Sequence, residues 1–338
     1  GMCVRLSGIF DDDMMQPTLL RLMLLCAMRR LGAFVGPANH HHHRSCSQLR
    51  FSSSAESSST AAAAATTNSP FVMPNGVLAV YKPRGWTSSN VVQKLRSTLE
   101  RDWRAKTKQT KGNRKRKPQI KVGHGGTLDP LATGVLVIGV GTGCRDLESY
   151  LKGSKLYRAT ALLGSETDTL DAEGNVTESK DWRHVTAASL EAALEHFRGD
   201  ILQVPPMFSA LKKDGKRLYD LARSGKTVER EPRRVRVDRL ELVDVALPQF
   251  GLVVECSGGT YVRSLIADVA RQADCLGHMV QLERTRQGPF TPEDCLPEDK
   301  WSDVDDIFDH LALCADVLSS SEVAEQHAAA PSPSSSSS

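Results

Sequence analysis

The sequence predicts an α+β fold in which a mixed, largely antiparallel central sheet is flanked by helices and loops. Apolar runs with the length of strands often follow one another in this chain without a regular crossover helix between them. Such an order favours an α+β fold over a doubly wound one. The composition, 40% hydrophobic and 25% charged over 338 residues, is that of a soluble globular chain with room for one large domain or two ordinary ones.

The regular pattern begins at Asn75 with a strand and a helix. The run GVLAVYKP (76–83) is typical of a short apolar strand that ends at Pro83. The segment TSSNVVQKLRSTLE (87–100) opens with capping hydroxyls and then repeats apolar residues at helical spacing. A helix is therefore predicted directly after the first strand.

Four further strands and two further helices complete the predicted domain. The strands are predicted in apolar or β-branched runs, namely GVLVIGV (134–140), LYRATALLG (156–164), VRVDRLELVDV (235–245) and GLVVEC (251–256). The helices are predicted where apolar residues recur at helical spacing, in SLEAALEHFRG (189–199) and YVRSLIADVARQA (261–273).

Cysteine usage and hydropathy argue against two classes, disulfide-linked proteins and proteins with a transmembrane helix. The eight cysteines are scattered along the chain and include no CxxC pair, which favours reduced intracellular thiols over a disulfide framework. No run of about 18 uncharged apolar residues occurs, so we expect no transmembrane helix and no membrane partner.

The two ends of the chain differ in composition from its middle. We expect a disordered leader over residues 1–74, a folded domain over residues 75–315 and a disordered tail over residues 316–338. Between Met14 and Pro70 the leader has five arginines and a single acid, which is typical of an organellar transit sequence. We therefore expect a mitochondrial or plastid location. The alternative is a disordered N-terminal tail without a targeting function. The basic run NRKRKP (113–118) is compatible with a nuclear localisation signal, so the nucleus or cytoplasm is the alternative location.

Two basic clusters indicate a nucleic-acid partner. The insert at 101–121 carries ten basic residues and one acid, and the segment 211–239 carries eleven basic residues and five acids. Contacts to phosphates supply most of the sequence-independent affinity for RNA, so these clusters are suited to an RNA backbone. A solvated loop is the alternative interpretation of the first cluster.

A lone acid stands in the glycine-rich segment KVGHGGTLDPLATGVLVIGVG (121–141). Its glycines permit close approach of a ligand, and Pro130 biases Asp129 towards an extended conformation. The segment lacks GxxxxGK[ST], and GVGTG is not the dinucleotide fingerprint GxGxxG. A surface Asp-Pro turn remains the structural alternative to an acid displayed for chemistry.

Several long motifs occur in a fixed order that resembles a known family. They are VYKPRGWTS (80–88), GHGGTLDPLATGVL (123–136), YRATALLGSETDTLDAEG (157–174), VPPMFSALKKDGKRLYDLAR (204–223), CSGGTYVRSLIADVA (256–270) and LERTRQGPF (282–290). Together they closely resemble the TruB family of tRNA pseudouridine synthases, and the basic insert is most similar to the eukaryotic branch. Bacterial relatives usually carry a C-terminal PUA-type RNA-binding domain, and none is expected here because few residues follow Lys300.

The resemblance implies an isomerase that converts uridine 55 in the TΨC loop of tRNA to pseudouridine. The N-glycosidic bond breaks, the uracil rotates and it rejoins the ribose through C5, so one nucleophilic carboxylate can serve where a hydrolase typically needs two. By match to the family motifs, Asp129 is the nucleophile, Tyr157 stacks on the target base, and Arg263 pairs with the carboxylate and keeps it ionised. No metal or organic cofactor is implied.

The same resemblance implies a pocket for the flipped uridine and sets the expected partners. His124, Tyr261 and Leu282 match residues near the flipped base, and Lys82 either supports the site or touches RNA. The expected partner is tRNA, with some mRNA possible, and we expect a monomer without an obligate protein partner. The alternative function is a non-catalytic RNA-binding protein or tRNA chaperone on the same fold.

Overall fold

The computed structural model describes residues 75–107, 119–213 and 215–329, and it gives side chains as far as residue 321. The predicted leader, most of the basic insert and the end of the predicted tail lie outside these residues.

Twelve strands are formed in the described part of the chain. Their bounds are β1 Gly76–Lys82, β2 Val122–His124, β3 Thr133–Val140, β4 Lys155–Leu163, β5 Ser165–Thr167, β6 Val176–Ser179, β7 Gly199–Gln203, β8 Lys212–Lys213, β9 Lys216–Arg217, β10 Arg233–Ala246, β11 Gln249–Cys256 and β12 Gly277–Gln287.

Six α-helices accompany these strands in the described residues. They are α1 Ser88–Thr107, α2 Leu147–Lys152, α3 Ala187–Glu195, α4 Leu218–Arg223, α5 Val262–Gln272 and α6 Val304–Ala329. The capping predicted for α1 is present, since the Thr87 hydroxyl oxygen accepts a hydrogen bond from the Asn90 amide at 3.0 Å.

One eight-stranded sheet organises the domain. Its strand order is β1-β3-β12-β4-β11-β10-β7, with β2 also paired to β3. The β3–β12 pair is parallel, and the other pairs are antiparallel. The prediction of an α+β fold with a mixed, largely antiparallel sheet is confirmed.

The burial of each strand explains its sequence pattern. Strand β3 is buried on both faces: Leu136 and Ile138 belong to the main core, whereas Val135 and Val137 belong to a second cluster that includes residues of α6. A strand covered on both faces has a continuous apolar run. Strand β4 instead alternates buried and more exposed residues, because the main core covers only one of its faces.

Helices α1, α3 and α5 supply the apolar side chains that cover the main face of the sheet. Val91 and Leu95 of α1, Leu190 of α3 and Leu265 of α5 are all fully buried in the same cluster. These residues recur at helical spacing in the sequence, which is why the three helices were predictable.

The outer edge of β1 is closed by the C-terminal part of the chain. The Tyr81 amide donates to the Leu296 carbonyl at 3.2 Å, and the Leu296 amide donates to the Ala79 carbonyl at 3.0 Å. The Ala79 amide donates to the Cys314 thiol of α6 at 3.4 Å.

The predicted boundary of the tail is wrong. Helix α6 runs from Val304 to Ala329, so residues 316–329 are helical and not part of a disordered tail. Leu311 and Cys314 of α6 are buried against the sheet, and this contact stabilises a helix whose C-terminal half has a Ser- and Ala-rich sequence.

Gly134 allows β3 to approach β12 closely. Its φ is +103°, and a Cβ there would lie 2.2 Å from the Arg284 carbonyl oxygen and 2.8 Å from the Arg284 nitrogen. Neither backbone atom can move without breaking the β3–β12 pairing. The parallel pair that joins the two halves of the sheet therefore requires glycine at this position.

We predict that Gly134→Ala lowers the free energy of unfolding by more than about 4 kcal/mol, or prevents folding. The matched control is Gly199→Ala, where φ is +80° but no atom lies within 4 Å of the added Cβ. That variant has backbone strain alone and is expected to lose about 1–3 kcal/mol. Urea titration followed by circular dichroism measures both values, and equal losses would contradict the steric argument.

Candidate active site

Asp129 lies on the loop between β2 and β3, and its carboxylate forms an ion pair with Arg263. The Asp129 Oδ2 atom is 2.9 Å from the Arg263 Nε atom. The aspartate side chain is 32% exposed and the arginine side chain only 4%, so the acid is open to solvent on one side and fixed on the other. The structure therefore brings two of the three predicted catalytic residues into direct contact.

Backbone contacts fix the loop on both sides of Asp129. The Ser88 hydroxyl donates to the Leu128 carbonyl at 3.1 Å and accepts from the Leu128 amide at 2.8 Å. The Pro130 carbonyl accepts from the Gly85 amide at 2.8 Å. These bonds join the loop to the start of α1 and to the segment after β1, so the position of the carboxylate is set by rigid elements.

The Lys82 ammonium holds this loop through hydrogen bonds to main-chain carbonyls. Its side chain is completely buried, and its ammonium donates to the carbonyls of Pro83 (3.0 Å), Trp86 (2.6 Å) and Pro130 (3.4 Å). Burial lowers the pKa of Lys82 to about 8. These contacts favour the supporting role for Lys82 over direct contact with a bound base.

Arg263 joins three separate segments of the chain. It lies in the first turn of α5, and its Nη1 and Nη2 atoms donate to the carbonyls of Thr169 (2.7 Å) and Phe208 (2.8 Å). Its Nη1 atom also lies 3.6 Å from Oδ2 of Asp171. Every part of the guanidinium therefore has a partner, which is required of an arginine that is so deeply buried.

Asp171 is a site residue that the sequence did not identify. Its side chain is 6% exposed, whereas Asp168 in the same TDTLD segment is exposed. The Asp171 Oδ1 atom accepts from the Thr169 hydroxyl at 2.6 Å and from the Glu173 amide at 3.0 Å. The two aspartates look alike in the sequence, and only the fold separates them.

The charges around Asp129 act in opposite directions on its pKa. Burial raises the pKa of Asp129 above its ordinary value, the charge of Arg263 lowers it, and the charge of Asp171 raises it. The net direction is upward, although the sequence predicts that Arg263 holds the acid in its ionised form. Arg263 does favour the charged carboxylate, but its effect is smaller than that of burial.

Tyr157 faces the same region from the central strand β4. It is 8% exposed, and it lies directly across from Arg284 of β12 and Val254 of β11. Burial raises the pKa of the Tyr157 phenol, the charge of Arg284 lowers it, and the charge of Asp129 raises it. Both charged residues are therefore close enough to influence the phenol.

Two of the three residues predicted near the base, His124 and Leu282, lie on β2 and β12. His124 ends β2, and its Nδ1 atom accepts from the Gly126 amide at 3.4 Å. Burial, followed by the charge of Arg284, lowers the pKa of His124, which favours a neutral ring that presents Nε2–H as a donor. Leu282 is buried in the main core with Tyr157.

Tyr261 caps the helix that carries Arg263. Its amide donates to Oε1 of Gln203 at 2.8 Å, and its carbonyl accepts from Nε2 of Gln203 at 3.0 Å. Burial raises the pKa of the Tyr261 phenol, and the charge of Asp129 raises it further. The double contact with Gln203 fixes the start of α5, and so the direction in which Arg263 projects.

The described residues contain neither a cluster of metal-ligating side chains nor a membrane-spanning helix. No group of three or more His, Cys, Asp or Glu side chains within residues 75–107, 119–213 and 215–321 could hold a metal ion. Over the same part of the chain, none of the helices combines the length and the apolar character needed to cross a membrane.

Comparison with known proteins gives concordant matches. Residues 113–262 match the family model described as TruB family pseudouridylate synthase (N terminal domain). The chain is 45% identical to Pseudouridylate synthase TRUB1 of Homo sapiens over 246 residues, which cover 72% of this chain and 70% of that protein. It is also 45% identical to tRNA pseudouridine synthase B of Stutzerimonas stutzeri over 216 residues, which cover 64% of this chain and 65% of that protein.

A solved structure shares the fold. The crystal structure of a Cbf5-Nop10-Gar1 complex contains a chain that is 26% identical to this one and aligns with a TM-score of 0.50. The alignment covers 70% of this chain and 59% of that chain.

We predict that Asp171→Asn lowers the pKa of Asp129. The substitution removes the negative charge that raises this pKa, and the asparagine oxygen can still accept from Thr169 and Glu173. The Asp129 carboxyl would then remain ionised to lower pH than in the unchanged chain. A titration that follows the carboxyl ¹³C resonance of Asp129 by NMR measures the shift.

Asp168→Asn is the matched control for this titration, because it makes the same change at an exposed position three residues away. Its effect on the pKa of Asp129 should be much smaller. A pKa of Asp129 that rises in Asp171→Asn, or that moves equally in both variants, would contradict the assignment of Asp171 to the site.

Proposed function

This chain belongs to the TruB family of pseudouridine synthases, and from that premise we propose that it converts uridine 55 in the TΨC loop of tRNA to pseudouridine. The observation that carries the proposal is the contact between Asp129 and Arg263, 2.9 Å apart on a loop with one open side. A single fixed, solvent-accessible carboxylate is suited to nucleophilic chemistry in which no water need be activated.

The reaction rearranges bonds within one nucleotide. The bond between ribose C1′ and uracil N1 breaks, and a bond between C1′ and C5 forms. The proton on C5 is lost and N1 takes up a proton, so the composition of the nucleotide does not change. In this proposal Asp129 starts the cleavage, Arg263 holds its carboxylate in position, and Tyr157 stacks on the detached uracil and helps remove the C5 proton.

The target base must leave its stack before Asp129 can reach it, which costs a few kcal/mol. His124 and Tyr261 are half-buried polar residues near the centre, and they can offset part of this cost by hydrogen bonding and by stacking. Leu282 supplies an apolar surface beside Tyr157. These three residues are the proposed walls of the uridine pocket.

A basic hairpin connects the site with the proposed RNA surface. Strands β8 and β9 consist of exposed basic residues, and the segment before them supplies the Phe208 carbonyl that binds Arg263. Phosphate groups that contact this hairpin would therefore lie next to the active site. Such contacts give affinity without sequence preference.

We predict that Asp129→Asn abolishes pseudouridine formation and changes tRNA affinity by no more than a few-fold. Asparagine keeps the shape of the side chain but lacks the nucleophilic carboxylate. Release of tritium from tRNA labelled at uridine C5 measures the reaction, and filter binding measures the affinity. Asp181→Asn, on the exposed surface, is the matched control and should retain full activity.

The position of the modified uridine is tested in the same assay. A tRNA with cytidine in place of uridine 55 should release no tritium. Activity of Asp129→Asn would overturn the mechanism, whereas tritium release from the cytidine tRNA would overturn only the choice of position.

We predict that replacing Lys212, Lys213 and Lys216 together by Gln weakens tRNA binding and reduces its salt dependence. If all three lysines contact phosphates, the slope of log K against log salt should fall by about 2. The matched control replaces Lys152, Lys180 and Lys300, which already pair with carboxylates. Equal slopes in the two triple variants would exclude the hairpin from the RNA surface.

A further inference from the structure

The C-terminal part of strand β12 carries two buried polar side chains to which the proposed mechanism gives no role. Arg284 is 1% exposed and Gln287 is 0% exposed. Both belong to the LERTRQGPF motif, and a polar group buried so deeply must have its hydrogen-bonding capacity met by specific partners.

Their partners are backbone groups of β3 and of the loop between β2 and β3 (residues 125–132), which we call the glycine loop. The Arg284 Nε atom donates to the Val135 carbonyl at 2.7 Å, and its Nη2 atom donates to the Gly126 carbonyl at 3.2 Å. The Gln287 Nε2 atom donates to the Gly125 carbonyl at 2.7 Å, and its Oε1 atom accepts from the Val137 amide at 3.1 Å. The Arg284 and Gln287 side chains of β12 thus bind main-chain carbonyls of the loop that leads to Asp129.

The glycine loop packs directly against these two side chains. A Cβ at Gly126 would lie 3.4 Å from Nε2 of Gln287 and 3.7 Å from Nη1 of Arg284, and φ of Gly126 is +143°. Only two residues separate Gly126 from Asp129. A shift of the Arg284 guanidinium would therefore be transmitted to the carboxylate through a very short piece of chain.

Arg284 also lies opposite Tyr157 in the sheet. It pairs with Tyr157 across the antiparallel β12 and β4 strands, so the two side chains project from the same face of the sheet. Burial raises the pKa of the Tyr157 phenol, and the positive charge of the Arg284 guanidinium lowers it. Since the Val135 and Gly126 carbonyls hold the guanidinium, its position relative to the phenol is fixed.

We propose that Arg284 is a positioning residue that holds the glycine loop leading to Asp129 and, from the same place, sets a positive charge across the β12–β4 pair from Tyr157. The inference rests on the proposed function, which it deepens by assigning one buried guanidinium a role towards both reactive groups. A positive charge beside the phenol stabilises negative charge on its oxygen and so assists Tyr157 in receiving the C5 proton.

The test compares Arg284→Lys with the unchanged chain under single-turnover conditions. Lysine keeps the charge but cannot reproduce the planar set of donors that reaches the Val135 and Gly126 carbonyls together. The rate of tritium release from labelled tRNA should fall about 10- to 100-fold. The Kd for tRNA should stay within a few-fold, because Arg284 is 1% exposed and has almost no surface to offer to RNA. An unchanged rate would overturn the proposal.

Arg286→Lys is the matched control. It makes the same substitution on the same strand, at a residue that pairs with Glu255 and whose side chain is 40% exposed. Its single-turnover rate should equal that of the unchanged chain. A loss of rate as large as that of Arg284→Lys would show a general effect on β12 and would overturn the specific role.

A double-mutant cycle with Tyr157→Phe separates positioning from a structural effect. If Arg284 acts through the phenol, Arg284→Lys should cause a smaller loss in the Tyr157→Phe background than in the unchanged chain. The ¹³C resonance of the Tyr157 ring carbon that bears the hydroxyl should also shift in Arg284→Lys. Fully additive losses together with an unshifted resonance would overturn the proposal.

Failure of this inference is distinguishable from failure of the proposed function. If the unchanged chain releases no tritium from tRNA, the function is wrong, and the Tyr157 resonance still tests the influence of Arg284 on the phenol. If the unchanged chain is active and Arg284→Lys is equally active, only the role of Arg284 is wrong.

Discussion

The ion pair between Asp129 and Arg263 is the interaction on which the rest of the site depends. A guanidinium that is 4% exposed needs partners for every donor, and those partners come from the β2–β3 loop, the segment after β5 and the segment before β8. Because the buried Arg263 guanidinium needs these hydrogen-bond acceptors, three segments that are distant in the sequence meet around it. The carboxylate gains a fixed direction in return, while its open side stays available to a ligand.

The sheet supplies the rigid frame for this pair. Strand β3 is covered on both faces and joins β1 to β12, so the loop that precedes it starts from the most buried part of the domain. Strands β4 and β12 pass beneath the loop and bring Tyr157 and Arg284 to the same face. The carboxylate and the phenol are thus held by different elements, and the register of the strands sets their relation.

The sequence predicted those features that depend on local pattern or on a long motif. The continuous apolar run of β3 and the helical spacing in α1 and α5 were visible because burial imposes them directly. The ion pair of Asp129 and Arg263 followed from resemblance. Asp171 was missed because nothing local distinguishes it from Asp168, and only the partners brought by the fold do so. The C-terminal helix had a signal that was overlooked, since Ile307, Leu311, Cys314 and Leu318 recur at helical intervals.

The hydrogen bonds along the outer edge of β1 affect whether the domain can self-associate at high concentration. An uncovered outer strand offers its amides and carbonyls as a template on which another polypeptide can polymerise. Here the main-chain groups of Ala79 and Tyr81 are already occupied by Leu296 and by a sulfur atom of the last helix. The segment around Leu296 and the last helix therefore both oppose self-association along this edge, and loss of either would leave main-chain groups of β1 open to pairing with another strand.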